Sequence, residues 1–168
     1  MTPHSVRPQP CLDPDCREQH PPAERIALAT SLCSARGVKL TKLRRNILEL
    51  LWEFDSPTGA YELIKALEAG GGRRVGPPTV YRALGFLISQ GLVSKIESRN
   101  AYRPCNHPER QHDSVFFLCS NCGASTELEN PKIEKLISEE AALIGFQPSH
   151  RVVEVEGICA NCSPVGGS

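Results

Sequence analysis

The sequence predicts an α+β fold that is divided between two small domains. The chain has 168 residues, of which 40% are hydrophobic, and this is enough apolar material for one or two compact cores. Helical patterns dominate the chain up to residue 91, and a predicted hairpin follows them. Beyond residue 104, strand patterns surround one helical pattern, and two Cys-x-x-Cys pairs accompany them. We therefore expect a helical N-terminal domain with a hairpin and a mixed C-terminal domain.

The two parts also differ in charge. Residues 1–104 contain 15 Lys and Arg against 10 Asp and Glu, whereas residues 105–168 contain 4 against 9. The formal net charge of the whole chain is zero, so only this distribution carries information. A basic part joined to an acidic part favours a division of labour, although chance variation between two small domains would give the same distribution.

Residues 1–22 are rich in proline and predict a flexible tail. The tail contains Cys11, Cys16 and His20 without an obvious fourth ligand, so we expect it to bind metal weakly or not at all. It lacks the apolar run of a signal peptide, and the chain contains no stretch of 18 apolar residues. The sequence therefore predicts a cytoplasmic protein without a membrane span, whose cysteines are reduced or metal-bound.

Four amphipathic helices are expected after the tail. Apolar residues recur at three- and four-residue spacing in residues 23–36, from Thr41 to Phe54, from Tyr61 to Leu67 and from Thr79 to Gln90. Cys33 lies on the apolar stripe of the first helix, so we expect a core thiol rather than a ligand. The predicted buried face of the fourth helix consists of Val80, Leu84, Leu87 and Ile88.

A β-hairpin is predicted directly after the helices. Residues 92–97 and 101–103 are strand-like, and Ser98–Asn100 form a polar tip between them. Helices followed by such a hairpin are typical of a winged helix-turn-helix, whose recognition helix enters the DNA major groove by its N-terminal residues. The alternative is a helical scaffold whose exposed Arg and Tyr side chains are only solvated.

Several residues are candidates for DNA contacts. Tyr81 and Arg82, with Thr79, lie in the first turn of the fourth helix, where Arg can pair with guanine and an aromatic edge can meet a thymine methyl. Phosphate or minor-groove contacts would position the protein without specifying sequence. The candidates for such contacts are Lys39, Arg44 and Arg45.

The second part of the chain predicts a small α+β unit. Its expected elements are strands 114–119, 124–128 and 150–156 and helix 131–144. The residues expected to face its sheet are Ile133, Leu136, Ile137, Leu143 and Ile144. A unit of about 50 residues buries little core alone, so we expect a metal and a second copy of the chain to stabilise it.

The Cys-x-x-Cys pairs Cys119/Cys122 and Cys159/Cys162 predict a structural zinc site. Four thiolates fit a tetrahedral Zn²⁺ at about 2.3 Å, and Gly123 suits a knuckle turn that needs positive φ. The alternatives are a redox motif and disulfides. A redox Cys-x-x-Cys usually begins a helix, whereas Cys119 follows a strand-like run, and disulfides need an oxidising compartment.

Together these motifs resemble the ferric uptake regulator family over residues 24–162. The resemblance rests on Gly37–Arg44, Pro78–Leu84, Gln90–Val93 and the two cysteine pairs. Family members are dimeric, metal-dependent transcriptional repressors, so the resemblance implies a homodimer, double-stranded operator DNA as partner and no enzyme activity or small-molecule substrate. The implied organisation is a tail (1–22), a winged-helix DNA-binding domain (23–104), a metal-binding connector (105–113), a dimerisation domain (114–162) and a second tail (163–168).

Within the family, the chain resembles the zinc uptake regulator branch. That branch has a Cys after the wing, a His before the first cysteine pair and a Glu after it, and the corresponding residues are Cys105, His112 and Glu127. Thiolate, imidazole and carboxylate ligands together suit Zn²⁺. The resemblance implies one structural and one regulatory zinc per subunit, with the regulatory site linking the two domains of a zinc-responsive repressor of zinc uptake genes.

One position departs from the zinc branch. Its fourth regulatory ligand lies on the first wing strand, where this chain has Ser94, a poor zinc ligand. We expect His107 to complete the site, with Glu97 or water as alternatives. A further site of some relatives would use Asp113, Val115, Glu134 and His150, and the valine cannot bind metal.

Three other functions stay open at this stage. One is an iron or peroxide sensor of the same family. Another is a zinc-binding interaction module that does not bind DNA. The third is a zinc enzyme that uses Cys105, His112 and Glu127 around an open coordination position. The sequence implies no substrate pocket, so we do not expect an enzyme.

Overall fold

The computed structural model describes residues 20–71, 74–109, 115–149 and 151–163. The described residues up to Glu109 belong to one compact unit, and those from Val115 onwards belong to another. Each unit combines helix with a three-stranded sheet, which confirms the predicted α+β class. Within these ranges, every helix is too short or too polar to cross a membrane.

The first unit is a helical bundle with a small sheet. In chain order its elements are α1 (Pro22–Ala35), α2 (Lys42–Glu53), β1 (Thr58–Gly59), α3 (Ala60–Ala69), α4 (Pro77–Ser89), β2 (Val93–Ile96) and β3 (Ala101–Pro104). The fourth helix begins two residues before the predicted Thr79, because prolines fit the first helical turn, where an N–H is not needed. The order α3, α4 and then the β2–β3 hairpin is that of a winged helix-turn-helix.

The sheet of this unit has one strand that was not predicted. Its order is β1-β3-β2, with β3 antiparallel to both neighbours. In β1, Thr58 pairs with Tyr102 of β3, although the sequence suggested only a break at this point. A strand of two residues is too short to show an alternating pattern, so only the pairing reveals it.

Apolar side chains from all four helices form the core of the first unit. The members contributed by the helices include Ile26, Ala29, Ile47, Leu48, Leu51, Leu63, Val80, Leu84 and Leu87. Cys33 is 1% exposed among them, which confirms its predicted place in the core. Ile88 was expected on the same face but is 37% exposed, because it lies at the edge of the α4 stripe. Each fully buried aliphatic side chain contributes about 1.5–3 kcal/mol, so α4 is firmly anchored.

The second unit consists of a sheet and one helix. Its elements are β4 (Val115–Cys119), β5 (Ser125–Leu128), α5 (Pro131–Leu143) and β6 (Val153–Gly157). The sheet order is β5-β4-β6, with β4 antiparallel to β5 and parallel to β6. Because β4 and β6 are parallel, the cysteine pairs that follow them leave the sheet at the same end.

The helix of the second unit is more exposed than its sequence predicted. Leu136 is 56% exposed, and Leu143 and Ile144 are 79% and 81% exposed, so the expectation that they face the sheet is wrong. Ile133 and Ile137 are partly buried, and Ala141 is the buried residue of α5. The apolar pattern marks which side of a helix avoids water, but it does not identify what covers that side.

Candidate metal and DNA-binding sites

The four predicted zinc cysteines lie together at the end of the second sheet. The sulfur atoms of Cys119, Cys122, Cys159 and Cys162 are all within 4.8 Å of one another. In the described part of the chain, this cluster is where three or more His, Cys, Asp or Glu side chains lie close enough together to bind one metal ion. The structure therefore brings the two cysteine pairs into one cluster, although 36 residues of chain separate them.

Two hydrogen-bonded turns hold the cluster. Cys119 continues the β4–β5 ladder through its N–H to the Ala124 carbonyl at 2.9 Å, and Gly123 turns the chain with a φ of 79°. After β6, the N–H of Cys162 donates to the Cys159 carbonyl at 3.0 Å. Ser120 links the first turn to the end of β6, because its N–H donates to the Gly157 carbonyl at 2.9 Å.

The sulfur separations fit a tetrahedral ion rather than a disulfide. Cys122 Sγ lies 3.8 Å from Cys159 Sγ, and four sulfurs at about 2.3 Å from one zinc are about 3.8 Å apart. A disulfide would require about 2.05 Å, and the described cysteines are free thiols. The donor set and its spacing therefore fit Zn²⁺.

The ionisation of the thiols supports the same conclusion. The pKa of Cys119 is lowered to about 6, because the backbone N–H groups of Cys122 and Cys159 donate to its sulfur. For Cys162, the Asn121 side chain lowers the pKa, but hydrogen bonding to Cys159 and burial outweigh it and raise the pKa to about 12. One thiolate is thus favoured at neutral pH, and a cation must compensate the charge before four can coexist.

Two candidate ligands of the regulatory site lie in the described part of the connector. Cys105 is 4% exposed, and its N–H donates to the Leu92 carbonyl at 3.0 Å, which ties the connector to the start of β2. His107 is 2% exposed, and its Nδ1 lies 3.6 Å from Glu109 Oε1. Ser94 lies on β2, opposite Arg103 of β3. Both connector side chains are therefore buried, as metal ligands usually are.

The other regulatory candidates belong to the second unit or fall outside the described residues. Glu127 lies on β5, opposite Phe116 of β4, and is partly buried. Outside the described residues are His112, Asp113, His150, Cys11 and Cys16. Glu134 is partly buried on α5, and Val115 begins β4. His20 Nδ1 is 2.8 Å from Glu24 Oε2 at the start of α1.

The first turn of α4 presents the predicted base-reading side chains to solvent. Thr79, Tyr81 and Arg82 are exposed, whereas Val80 of the same turn is fully buried. The helix is therefore fixed by its buried side, and its N-terminal residues are accessible. This is the arrangement that a recognition helix needs in order to enter the major groove.

The basic residues of α2 and the preceding loop differ in accessibility. Lys39 is exposed, and Arg45 forms an ion pair with Glu49 one turn along α2. Arg44 is partly buried, and its guanidinium carbon Cζ lies 3.4 Å from the centroid of the Phe86 ring. Its Nη1 donates to the Lys39 carbonyl at 2.7 Å. Arg44 therefore links α2, α4 and the loop before α2.

One exposed aromatic was not among the sequence-predicted site residues. Tyr61 in the first turn of α3 is 65% exposed, with Lys65 Nζ 4.7 Å from its ring centroid. The periodic pattern counted Tyr61 only as one of the apolar residues of that helix. An exposed Tyr beside a Lys at the start of the helix before α4 is available for phosphate contacts.

Comparison with known proteins agrees with the geometry. The model of the ferric uptake regulator family matches residues 35–156. The chain is 39% identical over 143 residues to the zinc uptake regulation protein of Escherichia coli K12, which covers 84% of this chain and 83% of that protein. It is 32% identical over 132 residues to the zinc uptake regulation protein of Mycobacterium tuberculosis, covering 77% and 98%.

A solved structure extends the likeness to the fold. A zinc uptake regulator complexed with zinc and DNA matches with a TM-score of 0.79 and 39% identity, over 84% of this chain and 94% of that one. These matches confirm the predicted resemblance to the zinc uptake regulator branch. With a family model that covers most of its length and relatives above 30% identity, this chain belongs to the ferric uptake regulator family.

Proposed function

We propose that this protein is a zinc-responsive transcriptional repressor that binds operator DNA and controls genes of zinc uptake and homeostasis. The observation that carries the proposal is the likeness to a zinc uptake regulator solved with both zinc and DNA. The family consists of transcription regulators, which agrees with the expectation that the chain is not an enzyme. Such a regulator acts at the chromosome, so a cytoplasmic location is part of the proposal.

The four-cysteine cluster is proposed to hold a structural zinc. Its sulfur spacing, its two turns and the lowered pKa of Cys119 support this assignment. Zinc bound there would cross-link the ends of β4 and β6 and neutralise the thiolates. The cluster closes the sheet of a unit that has few large buried side chains of its own.

Operator DNA is proposed to contact the exposed turn at the start of α4. Arg82 and Tyr81 are the candidates for base contacts, and Thr79, Lys39 and Arg45 are candidates for backbone contacts. Arg44 would act by holding α4 against α2 through its contact with Phe86.

A homodimer is proposed because the second unit exposes many large apolar side chains. They are Phe117, Leu136, Leu143, Ile144, Phe146, Val152, Val155 and Ile158. A monomer that exposed such a surface to water would be prone to association. Because members of the family are dimeric, a second copy of the chain is the proposed partner. On this proposal residues 114–162 dimerise, residues 23–104 bind DNA, and residues 105–113 carry metal ligands.

A second, regulatory zinc per subunit is proposed to be bound by Cys105, His112 and Glu127. His107 is proposed as the fourth ligand, because Ser94 is a poor zinc ligand. The burial of Cys105 and His107 supports this set. The Glu109 carboxylate lies 3.6 Å from His107 Nδ1, which is beyond hydrogen-bond distance but within reach of a small side-chain movement that would let it orient the ring, as carboxylates do for metal-bound histidines. The soft thiolate favours zinc over iron or manganese.

The proposed linkage is reciprocal. If zinc at the regulatory residues raises affinity for the operator, the operator must raise affinity for zinc by the same factor. Such couplings are typically about 1–3 kcal/mol, or roughly 5–150-fold.

The test is operator binding at buffered free Zn²⁺, with Fe²⁺ and Mn²⁺ in parallel. Fluorescence anisotropy with DNA from the upstream region of the protein's own gene should show binding that depends on zinc. An equal response to iron or manganese would instead identify an iron or related sensor. Binding that ignores every metal would refute the proposal.

The ligand assignment has its own test. His107→Ala should shift half-maximal DNA binding to at least about tenfold higher free zinc, since loss of a ligand or its orienting partner costs about 10–100-fold in affinity. Ser94→Ala is the matched control and should leave the midpoint unchanged. An unmoved midpoint in His107→Ala would remove His107 from the site.

A further inference from the structure

Arg36 bridges two carbonyl groups that belong to functionally different parts of the first unit. Its Nη1 donates to the Gln90 carbonyl at 2.5 Å, and its Nη2 donates to the Pro108 carbonyl at 3.4 Å. Gln90 is the C-terminal cap of α4, and Pro108 lies in the connector, one residue after His107. Arg36 itself is the C-terminal cap of α1. One guanidinium therefore joins the ends of two helices to the connector.

The bond to Gln90 suits the end of α4 electrostatically. The last carbonyls of a helix have no partner within the helix, and the negative end of its dipole attracts a cation. The last turn of α4 contains no basic residue of its own. Arg36 supplies the positive charge from another helix, and its planar fork allows it to reach a second carbonyl at the same time.

A second link joins the same two regions close by. The Cys105 N–H donates to the Leu92 carbonyl at 3.0 Å, and the Leu92 N–H donates to the Leu87 carbonyl of α4 at 2.9 Å. The connector is thus bonded to the segment after α4 at two points, one on each side of His107. A displacement of the connector would therefore be transmitted to the C-terminal end of α4 through the Leu92 link and through Arg36.

We propose that Arg36 is a positioning residue that couples the state of the connector to the orientation of the recognition helix. This inference rests on the proposed function, because it assumes that residues of the connector bind regulatory zinc. In the described part of the chain, the hydrogen bonds of the Arg36 guanidinium go to main-chain carbonyls, not to the side chain of a proposed ligand or to the first turn of α4. Its proposed role is to fix the C-terminal end of α4 relative to the connector.

The coupling itself is therefore the quantity that Arg36 should change. In Arg36→Gln, the zinc-dependent gain in operator affinity should fall by about three- to tenfold, within the range by which residues outside both sites modulate coupling. Metal-free operator affinity and the zinc affinity of DNA-free protein should each change by less than about twofold. Arg36→Lys should recover part of the gain, because an ammonium can bond to Gln90 but lacks the fork.

The experiment measures the full thermodynamic cycle on the intact protein. Operator affinity with and without zinc comes from anisotropy, and zinc affinity with and without operator comes from competition with a chelator. Lys135→Gln on α5 removes one positive charge from the other unit and is the matched control. Thermal unfolding of each variant checks that the fold is retained.

Each outcome bears on a different statement. A reduced gain with both single affinities retained supports the coupling role. An undiminished gain in Arg36→Gln, while the unaltered protein responds to zinc, overturns it, and so does a uniform loss of operator affinity with and without zinc. If the unaltered protein shows no zinc-dependent gain, the proposed function itself fails and the inference fails with it.

Discussion

Replacing Cys119 by Ser should unfold the second unit or dissociate the protein into monomers. In the described part of that unit, the large buried apolar side chains are Val115, Phe116 and Leu118. At about 1.5–3 kcal/mol each they contribute about 5–9 kcal/mol. A structural zinc can contribute about 10–16 kcal/mol of folding free energy, so the metal outweighs this core.

The loss should be close to the full contribution of the metal. A serine hydroxyl is a poor zinc ligand, and the N–H groups that lower the pKa of Cys119 would then point at a neutral oxygen. Zinc content, circular dichroism and sedimentation should show a variant that lacks the structural metal, has lost ordered structure and is no longer a dimer.

Cys105→Ser is the matched control, because it removes a buried thiol of the connector and leaves the four-cysteine cluster intact. This variant should remain a folded dimer and lose the zinc response of DNA binding. A Cys119→Ser protein that keeps its melting temperature and its dimeric mass would refute the assignment of a structural zinc to the cluster.

Three further predictions follow from the same sites. Arg82→Ala should weaken binding to the operator by about 1–3 kcal/mol while changing binding to unrelated DNA much less, as competition anisotropy would show, because base contacts carry specificity. Ile144→Asp should give monomers in sedimentation, because it puts a charge into the exposed apolar surface of the second unit; a stable dimer would place the interface elsewhere. The affinity of the four-cysteine cluster for zinc should rise by at least about a hundredfold per pH unit between pH 6 and 8, as measured by chelator competition. The pKa of Cys119 is depressed to about 6, so its thiolate is already present above that pH and is lost as the pH falls through it. The pKa values of Cys122 and Cys162 are raised, so both thiols must release protons when zinc binds. A slope of one proton or fewer would contradict this.

Local patterns were sufficient to predict the helices of the first unit, because these helices bury their apolar stripes against one another. Val80, Leu84 and Leu87 recur at helical spacing and meet residues of α2 and α3 within the same chain. The two-residue strand β1 was missed, because its existence depends on pairing with Tyr102 rather than on any periodicity. Arg44 was predicted to make a phosphate or minor-groove contact, and its stacking on Phe86 could not be read from the sequence, because the two residues are 42 positions apart.

The second unit was harder because, in the described part of the chain, several of its large apolar side chains are exposed. The stripe of α5 predicted burial against the sheet, yet Leu143 and Ile144 are largely exposed. A periodic pattern records that a surface avoids water, and it cannot distinguish a sheet of the same chain from a second copy. The cysteine cluster, by contrast, was predictable, because each Cys-x-x-Cys turn is local and zinc chemistry specifies how two such turns combine.

Ser94 occupies the position where the zinc uptake regulator branch has its fourth regulatory ligand, and the strand pairing around it bears on which residue could replace that ligand. Ser94 lies on β2 opposite Arg103, so its position is fixed by strand pairing, and no neighbouring residue of β2 can take its place without a shift of register. In the connector, the Cys105 N–H donates to the Leu92 carbonyl, and His107 lies two residues further along the chain. We therefore expect the connector to supply the ligand that Ser94 does not, and His107, which is buried beside the Glu109 carboxylate, is the candidate. Ser94→His should restore a zinc response at low free zinc in His107→Ala, and failure of that rescue would show that the two positions do not serve the same metal.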